Sequence, residues 1–180
     1  MLPLMAMLAL LIRLDSRGNP IFRQRRLGRD GRQFIIVKLR TMREGSGLSI
    51  DRVTPIGRCL RYARLDELPQ LWNVLKGEMS LIGPRPETTL LSAVYATSVP
   101  NYIARQTVLP GITGLAQVQR PRPNTAAEKL PYDLAYIDGM SFGQDLWIVW
   151  KTVRLVGHAV IEASAKPRRS VASASTIPSA

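Results

Sequence analysis

Two adjacent carboxylates, Asp66 and Glu67, stand in a stretch otherwise rich in cations, with Arg58, Arg61 and Arg64 before them and Lys76 and Arg85 after. A carboxylate in that company can act as a nucleophile or hold a divalent cation. Further along, residues 83–87 read GPRPE, so two prolines restrict the backbone on either side of Arg85. An arginine fixed in this way offers a planar fork suited to bidentate phosphate contact, although a PRP tripeptide is more often plain loop. Upstream, Lys38 and Arg40 close a short apolar run. They suit a phosphate site or the solvated face of a basic hairpin.

Elements must position these groups. Asp66 has the type of an N-cap residue, Pro69 is tolerated in a first turn, and Leu68, Leu71, Trp72 and Leu75 share one helical face, which predicts a helix over 68–76 with Gly77 as its C′ residue. On that local pattern alone a cap and a first-turn acid is the commoner reading of such a pair, because caps far outnumber catalytic dyads. The positive end of the helix dipole favours ionised carboxylates there by about 0.3–1 kcal/mol. Residues 21–42 predict a β-hairpin turning at Asp30-Gly31, with Phe34, Ile36 and Lys38 on one face of the second strand and Ile35, Val37 and Leu39 on the other. Residues 44–52 are a polar loop. Thr54-Pro55 then starts a short helix that delivers Arg61 to the dyad. Helical segments are expected at 88–97 and 141–163, a second short segment at 102–108, and a turn followed by a buried strand at 110–118.

The charge balance limits the partners. With 25 Lys and Arg against 13 Asp and Glu, the net charge is +12. That surplus points to a polyanion: nucleic acid, an anionic membrane surface or a phosphorylated substrate. The single Cys59 excludes an internal disulfide and a cysteine-cluster zinc site, and its helical neighbours predict a buried thiol. The single His158 has no nearby Cys or His and receives no catalytic role. There is no P-loop, dinucleotide-binding glycine fingerprint, RNA-binding aromatic motif or helix-turn-helix pattern, so nucleic acid is not expected.

The run LDELPQLWNVLKGEMSLIGPRPE resembles the core signature of the bacterial sugar transferase family, the monotopic phosphoglycosyl transferases. The likeness extends to FIIVKLRTM (34–42), PGITGLAQV (110–118), KLPYDLAYI (129–137) and DLWIVWKT (145–152). It implies a small α+β membrane-associated domain with short helices, a β-hairpin and an N-terminal re-entrant or interfacial helix. It also implies a reaction. Asp66 attacks a UDP-sugar, UMP leaves, and the phosphosugar passes from Asp66 to polyprenyl (undecaprenyl) phosphate in the inner leaflet. Asp66 and Glu67 are then the catalytic pair and the Mg²⁺ ligands. Lys38, Arg40, Arg61, Arg85 and Arg120 bind substrate phosphate, and Asp133 is a further polar site residue. The family's usual Gly-Arg after the 110–118 motif is replaced by QRPRPN, which leaves Arg120 or Arg122 to supply the guanidinium.

Under this reading the enzyme acts at the cytoplasmic face of a bacterial inner membrane, at the first membrane step of exopolysaccharide, O-antigen, capsule or glycoconjugate assembly. The matched motifs track phosphate and catalysis rather than the hexose. Residues 1–12 are almost wholly apolar and too few to span a bilayer, for which about 20 are needed. Aligned on Pro3, they correspond to the returning arm of the family's re-entrant hairpin, with the entering arm missing. The resulting division is 1–18 membrane-associated, 19–163 catalytic and 164–180 a disordered Ser/Ala/Pro-rich tail. A non-catalytic basic module that binds membrane or nucleic acid is the competing expectation; turnover of a UDP-sugar separates the two.

Overall fold

The fold was described from a computed structural model covering residues 2–45, 52–119 and 125–165. Its elements in order are α1 (Leu2–Asp15), β1 (Ile21–Leu27), β2 (Gln33–Leu39), α2 (Pro55–Tyr62), a 3₁₀ segment Leu65–Gln70 running into α3 (Leu71–Leu75), β3 (Ser80–Ile82), α4 (Thr89–Ser98), a 3₁₀ segment Tyr102–Gln106, β4 (Gly111–Thr113), α5 (Leu115–Gln119), α6 (Ala126–Asp138) and α7 (Phe142–Ala165). The mixture of short helices with two two-stranded sheets is the α+β class expected.

The hairpin forms where the alternation places it. β1 and β2 pair antiparallel from Ile21↔Leu39 to Leu27↔Gln33. Asp30 (φ 55°) and Gly31 (φ 71°) adopt the left-handed conformation that an Asp-Gly turn demands. Phe34 and Ile36 are buried on one face of β2, and Leu39 closes its end on the other. The free edge of β2 has no strand beside it. Instead the Asn73 side chain accepts from Val37 N at 3.3 Å and donates to Ile35 O at 2.8 Å, so one amide substitutes for a strand neighbour.

Three apolar clusters hold the chain together. Leu8 and Ile12 of α1 meet Leu39 and Leu60, which fastens α1 to the hairpin and α2. Phe34, Ile36 and Met79 form the second cluster, and Val118, Tyr136 and Ile148 the third. The small parallel sheet β3–β4 sits beside the third cluster. It is tied to α7 through the Thr113 and Thr152 hydroxyls, 2.7 Å apart.

Several elements depart from the sequence expectation. Arg64 (φ 53°), not Asp66, takes the N-cap position, and the first turn is 3₁₀ rather than α. The buried face of this turn is polar. Glu67, Gln70 and Asn73 are buried while Trp72 and Leu75 are exposed, the reverse of the apolar face expected from Leu68, Leu71, Trp72 and Leu75. Glu67 and Gln70 share a face through the three-residue spacing of the 3₁₀ turn, and Asn73 of α3 extends it. Glu67 and Asn73 find partners on β2 and the following loops that offset their burial, while the buried Gln70 Nε2 has no hydrogen-bond partner. Gly77 does close α3 in the left-handed conformation, φ 72°. Cys59 is exposed rather than buried, because α2 turns Leu60 and Gly57 inward. Leu115–Gln119 is helix, so the strand expected over 110–118 ends at Thr113. Residue 1, the loop 46–51, residues 120–124 and the tail 166–180 lie outside the described residues, and with them Arg120 and Arg122.

Candidate active site

A cleft of about 880 Å³ opens between the hairpin, the dyad turn and the 84–87 loop. Lys38, Arg61, Arg64, Asp66, Glu67 and Arg85 line it. Each arrives by a separate route. Lys38 sits near the end of β2, on the face that carries Phe34 and Ile36. Asp66 and Glu67 enter on the 3₁₀ turn, which Asn73 fastens to β2. Arg85 is placed by a loop whose Gly83 (φ 157°) passes so close to Leu109 O that a Cβ there would lie 2.5 Å from it. Only glycine fits that approach.

The two carboxylates have opposite surroundings. Glu67 is buried, and its Oε1 accepts from Arg85 Nη2 at 2.5 Å and from Lys38 Nζ at 3.4 Å. Arg64 Nη1 stands 3.5 Å from Oε2. Burial pushes the Glu67 carboxyl up, but Arg85, Lys38 and Arg64 together outweigh it and hold it down at about 2. Asp66 makes no ion pair and no hydrogen bond to another side chain among the described residues; its carboxylate accepts only from its own backbone N–H. Burial pushes it above the ordinary aspartate range, the neighbouring Glu67 charge adds to that, and Lys38 and Arg61 pull back only in part. One acid is thus a fixed anion and its neighbour a free, more basic carboxylate. Such separation of two titratable groups marks a division of roles.

The remaining cations differ in how far they are committed. Burial, reinforced by Arg85, lowers Lys38 to about 8 despite the two acids beside it. Arg61 is exposed, and its Nε donates to Thr41 Oγ1 at 2.8 Å, so it reaches Asp66 as a nearby charge rather than as a partner. Arg40 borders the cleft, but its guanidinium donates to the carbonyls of Ser16 (2.8 Å), Arg17 and Gly18 (3.4 Å), just past α1. Its fork holds the α1 junction. Asp133 is neither a cap nor a lone acid. It lies within α6, whose N-cap is Thr125, and pairs with Arg105, Nη2 to Oδ2 at 2.7 Å.

A Mg²⁺ ion fits this donor set in one way. It commonly takes one or two carboxylates with water and substrate phosphate oxygens rather than a full protein cage. Asp66 is free and Glu67 Oε2 has only the long Arg64 contact, which matches that pattern. No third acidic, His or Cys side chain joins them among the described residues, so a closed protein cage is not formed.

Sequence reasoning missed Arg105, Asn73 and Arg26. Arg26 Nη1 donates to Pro86 O at 2.9 Å and so steadies the Arg85 loop. Arg105 reaches Asp133 across 28 residues, Asn73 reaches Ile35 across 38 and Arg26 reaches Pro86 across 60, beyond any local pattern.

Comparison with known proteins identifies the family of the chain. The sequence model of a family described as "Bacterial sugar transferase" matches residues 1–159. The chain is similar to a UDP-glucose:undecaprenyl-phosphate glucose-1-phosphate transferase of Caulobacter vibrioides, 45% identical over 84% of this chain and 61% of the relative. It is also similar to a UDP-N-acetylgalactosamine-undecaprenyl-phosphate N-acetylgalactosaminephosphotransferase of Aeromonas hydrophila, 42% identical over 86% of this chain and 39% of the relative. An exopolysaccharide production protein of Rhizobium leguminosarum bv. phaseoli is 38% identical over 84% of both chains. The chain therefore spans less than two thirds of the first two relatives and most of the third.

Proposed function

The chain belongs to the bacterial sugar transferase family, and from that premise we propose that it is a phosphoglycosyl transferase, moving a sugar-1-phosphate from a UDP-sugar to polyprenyl (undecaprenyl) phosphate and releasing UMP. The observation that carries the reading is the split dyad: a free, basic Asp66 beside a Glu67 clamped by Arg85 and Lys38. The names of the relatives support the substrate class.

The chemistry follows from the charges. A diphosphate repels any anionic nucleophile until cations offset its oxygens. Lys38, Arg61 and Arg85 supply positive charge at the cleft; Asp66 and Glu67 would hold Mg²⁺, which would add further neutralisation of phosphate charge. An Asp66 carboxylate oxygen attacks the phosphorus nearest the sugar. The new P–O bond forms as the bridging P–O bond breaks, and UMP departs with the electron pair. A polyprenyl phosphate oxygen then attacks the same phosphorus and expels Asp66, giving the polyprenyl diphosphosugar. Glu67 keeps Arg85 and Lys38 in place throughout. Two displacements at one carboxylate predict ping-pong kinetics. The lipid acceptor and the supply of UDP-sugars place the reaction at the cytoplasmic face of the bacterial inner membrane, at the entry to exopolysaccharide or related glycan assembly.

The test is UMP release in lipid nanodiscs from a panel of UDP-sugars with Mg²⁺ and undecaprenyl phosphate. Asp66→Asn loses no side-chain partner present in the parent, so it is expected to fold normally and to release no UMP. An Asn variant that turned over like the parent would remove Asp66 from the mechanism.

A further inference from the structure

Away from the dyad, Arg105 and Asp133 form a deeply buried ion pair, with side chains 6% and 3% exposed. Arg105 Nε and Nη2 both approach Asp133 Oδ2, at 2.8 and 2.7 Å. Nη1 donates to the Tyr102 hydroxyl at 3.3 Å. Nη2 also donates to the main-chain carbonyl of Arg85 at 2.9 Å. Buried ion pairs seldom add net stability over apolar side chains of the same volume, so stability alone does not account for this one. The contact at Arg85 does.

Pro84 and Pro86 have no amide hydrogen, so this loop is held largely through its carbonyls. Pro84 O accepts from Gly111 N at 2.9 Å, Pro86 O from Arg26 Nη1 at 2.9 Å, and Glu87 O from Leu27 N at 3.1 Å. The carbonyl of Arg85 itself, whose side chain grips Glu67, is held by Arg105.

We propose that Arg105, locked in orientation by Asp133, is a positioning residue that fixes the Arg85 main chain and thereby aims the Arg85 guanidinium at Glu67. Its consequence for turnover rests on the phosphoglycosyl transferase reading; the contact itself does not. Lysine can pair with Asp133 but lacks the planar fork that reaches the carbonyl at the same time.

Arg105→Lys is therefore expected to stay folded and to lower kcat for UMP release by about 10- to 100-fold, the range that a small misplacement of a catalytic group produces. The paired change Arg105→Met with Asp133→Leu leaves no buried charge unpaired. It is expected to melt near the parent and to lose as much turnover. In an Arg85→Ala background, Arg105→Lys is expected to cost less than about twofold more, because the residue it positions is gone. Parental turnover in Arg105→Lys or in the paired variant would overturn the proposal, as would losses that multiply in the Arg85→Ala background.

A second measurement does not depend on the reaction. The side-chain Nε–H resonance of Arg85 is expected to be distinct in the parent and to shift toward the solvent-averaged position in Arg105→Lys. An unmoved resonance counts against the proposal. If the parent releases no UMP from any sugar, the functional reading fails and this spectrum alone decides the positioning role.

Discussion

Asp66 and Glu67 are neighbours in the chain but do opposite work, and the difference lies in what surrounds each. Glu67 collects cations from β2, from the 84–87 loop and from the head of its own turn, whereas Asp66 is left with charges it does not touch. Lys38 makes this arrangement sensitive to pH. Burial, with Arg85 adding to it, lowers the ammonium to about 8, so Lys38 is charged below that pH and neutral above it. Turnover that needs the cation should hold below pH 8 and fall as pH rises through it. Lys38→Arg, which stays charged throughout, should remove that basic limb from the UMP-release profile, and Lys38→Met should lower the rate by about 10²- to 10³-fold, the scale of losing one donor to developing charge. A limb near pH 8 that survives in Lys38→Arg would belong to another group. At this scale the reacting pair was legible in the sequence, since Asp66-Glu67, Lys38 and Arg85 each sit in a recognisable run and line one cleft. What holds them was not. Nothing near Arg85 in sequence announces Arg105, and nothing near Arg40 shows that its fork is spent on carbonyls at residues 16–18.

The elements carry these side chains with little slack. The hairpin, the Thr54-Pro55 helix start, the 88–97 helix and the last helix were legible, because alternation, caps and prolines are local signals. The dyad turn was not, because its apolar residues face outward and its polar ones are buried against β2. A pattern rule assigns Trp72 and Leu75 inward; the partners of Glu67 and Asn73 decide otherwise. The seat of α2 is equally hidden. Gly57 lies against the backbone of Thr41, where a Cβ would stand 2.1 Å from the carbonyl oxygen. Gly57→Ala must push α2 away and is expected to cost about 1–3 kcal/mol, the usual penalty for overpacking. The same shift parts Arg61 from Thr41 Oγ1. Denaturant unfolding of Gly57→Ala beside Gly77→Ala checks this. The second site has open space around it and strains only its left-handed backbone, for about 1 kcal/mol. Equal stability of parent and Gly57→Ala would mean that α2 does not rest on Thr41.

Over the whole molecule, apolar surface left uncovered has to be accounted for. α1 buries Leu8 and Ile12 but exposes Leu2, Leu10 and Leu14, and α7 exposes Phe142, Trp150, Val153 and Ile161. Both helices contact α2. No helix among the described residues is long and apolar enough to cross a membrane. Lys151 lies over the rings of Trp147 and Trp150, at 5.3 and 5.6 Å, and Arg154 over Trp150 at 5.6 Å, the pairing of aromatic body and cationic head that suits a headgroup region. The apolar character of residues 1–12 was plain in the sequence, and the Trp and Lys/Arg of the last helix already suited a headgroup-level position, although the same periodicity fits a helix packed on the core. With a net charge of +12, the chain is expected to float with vesicles containing anionic lipid and to bind neutral vesicles more weakly, the difference shrinking as salt screens the charges. Trp147→Ser with Trp150→Ser removes ring area worth roughly 25 cal/mol per Å² and should weaken binding at least tenfold at both salt levels, since burial of apolar area is not screened. Neutralising Lys151 and Arg154 should weaken it only at low salt. If the tryptophan variant floats as well as the parent, α7 does not rest on lipid, and its exposed face meets protein instead.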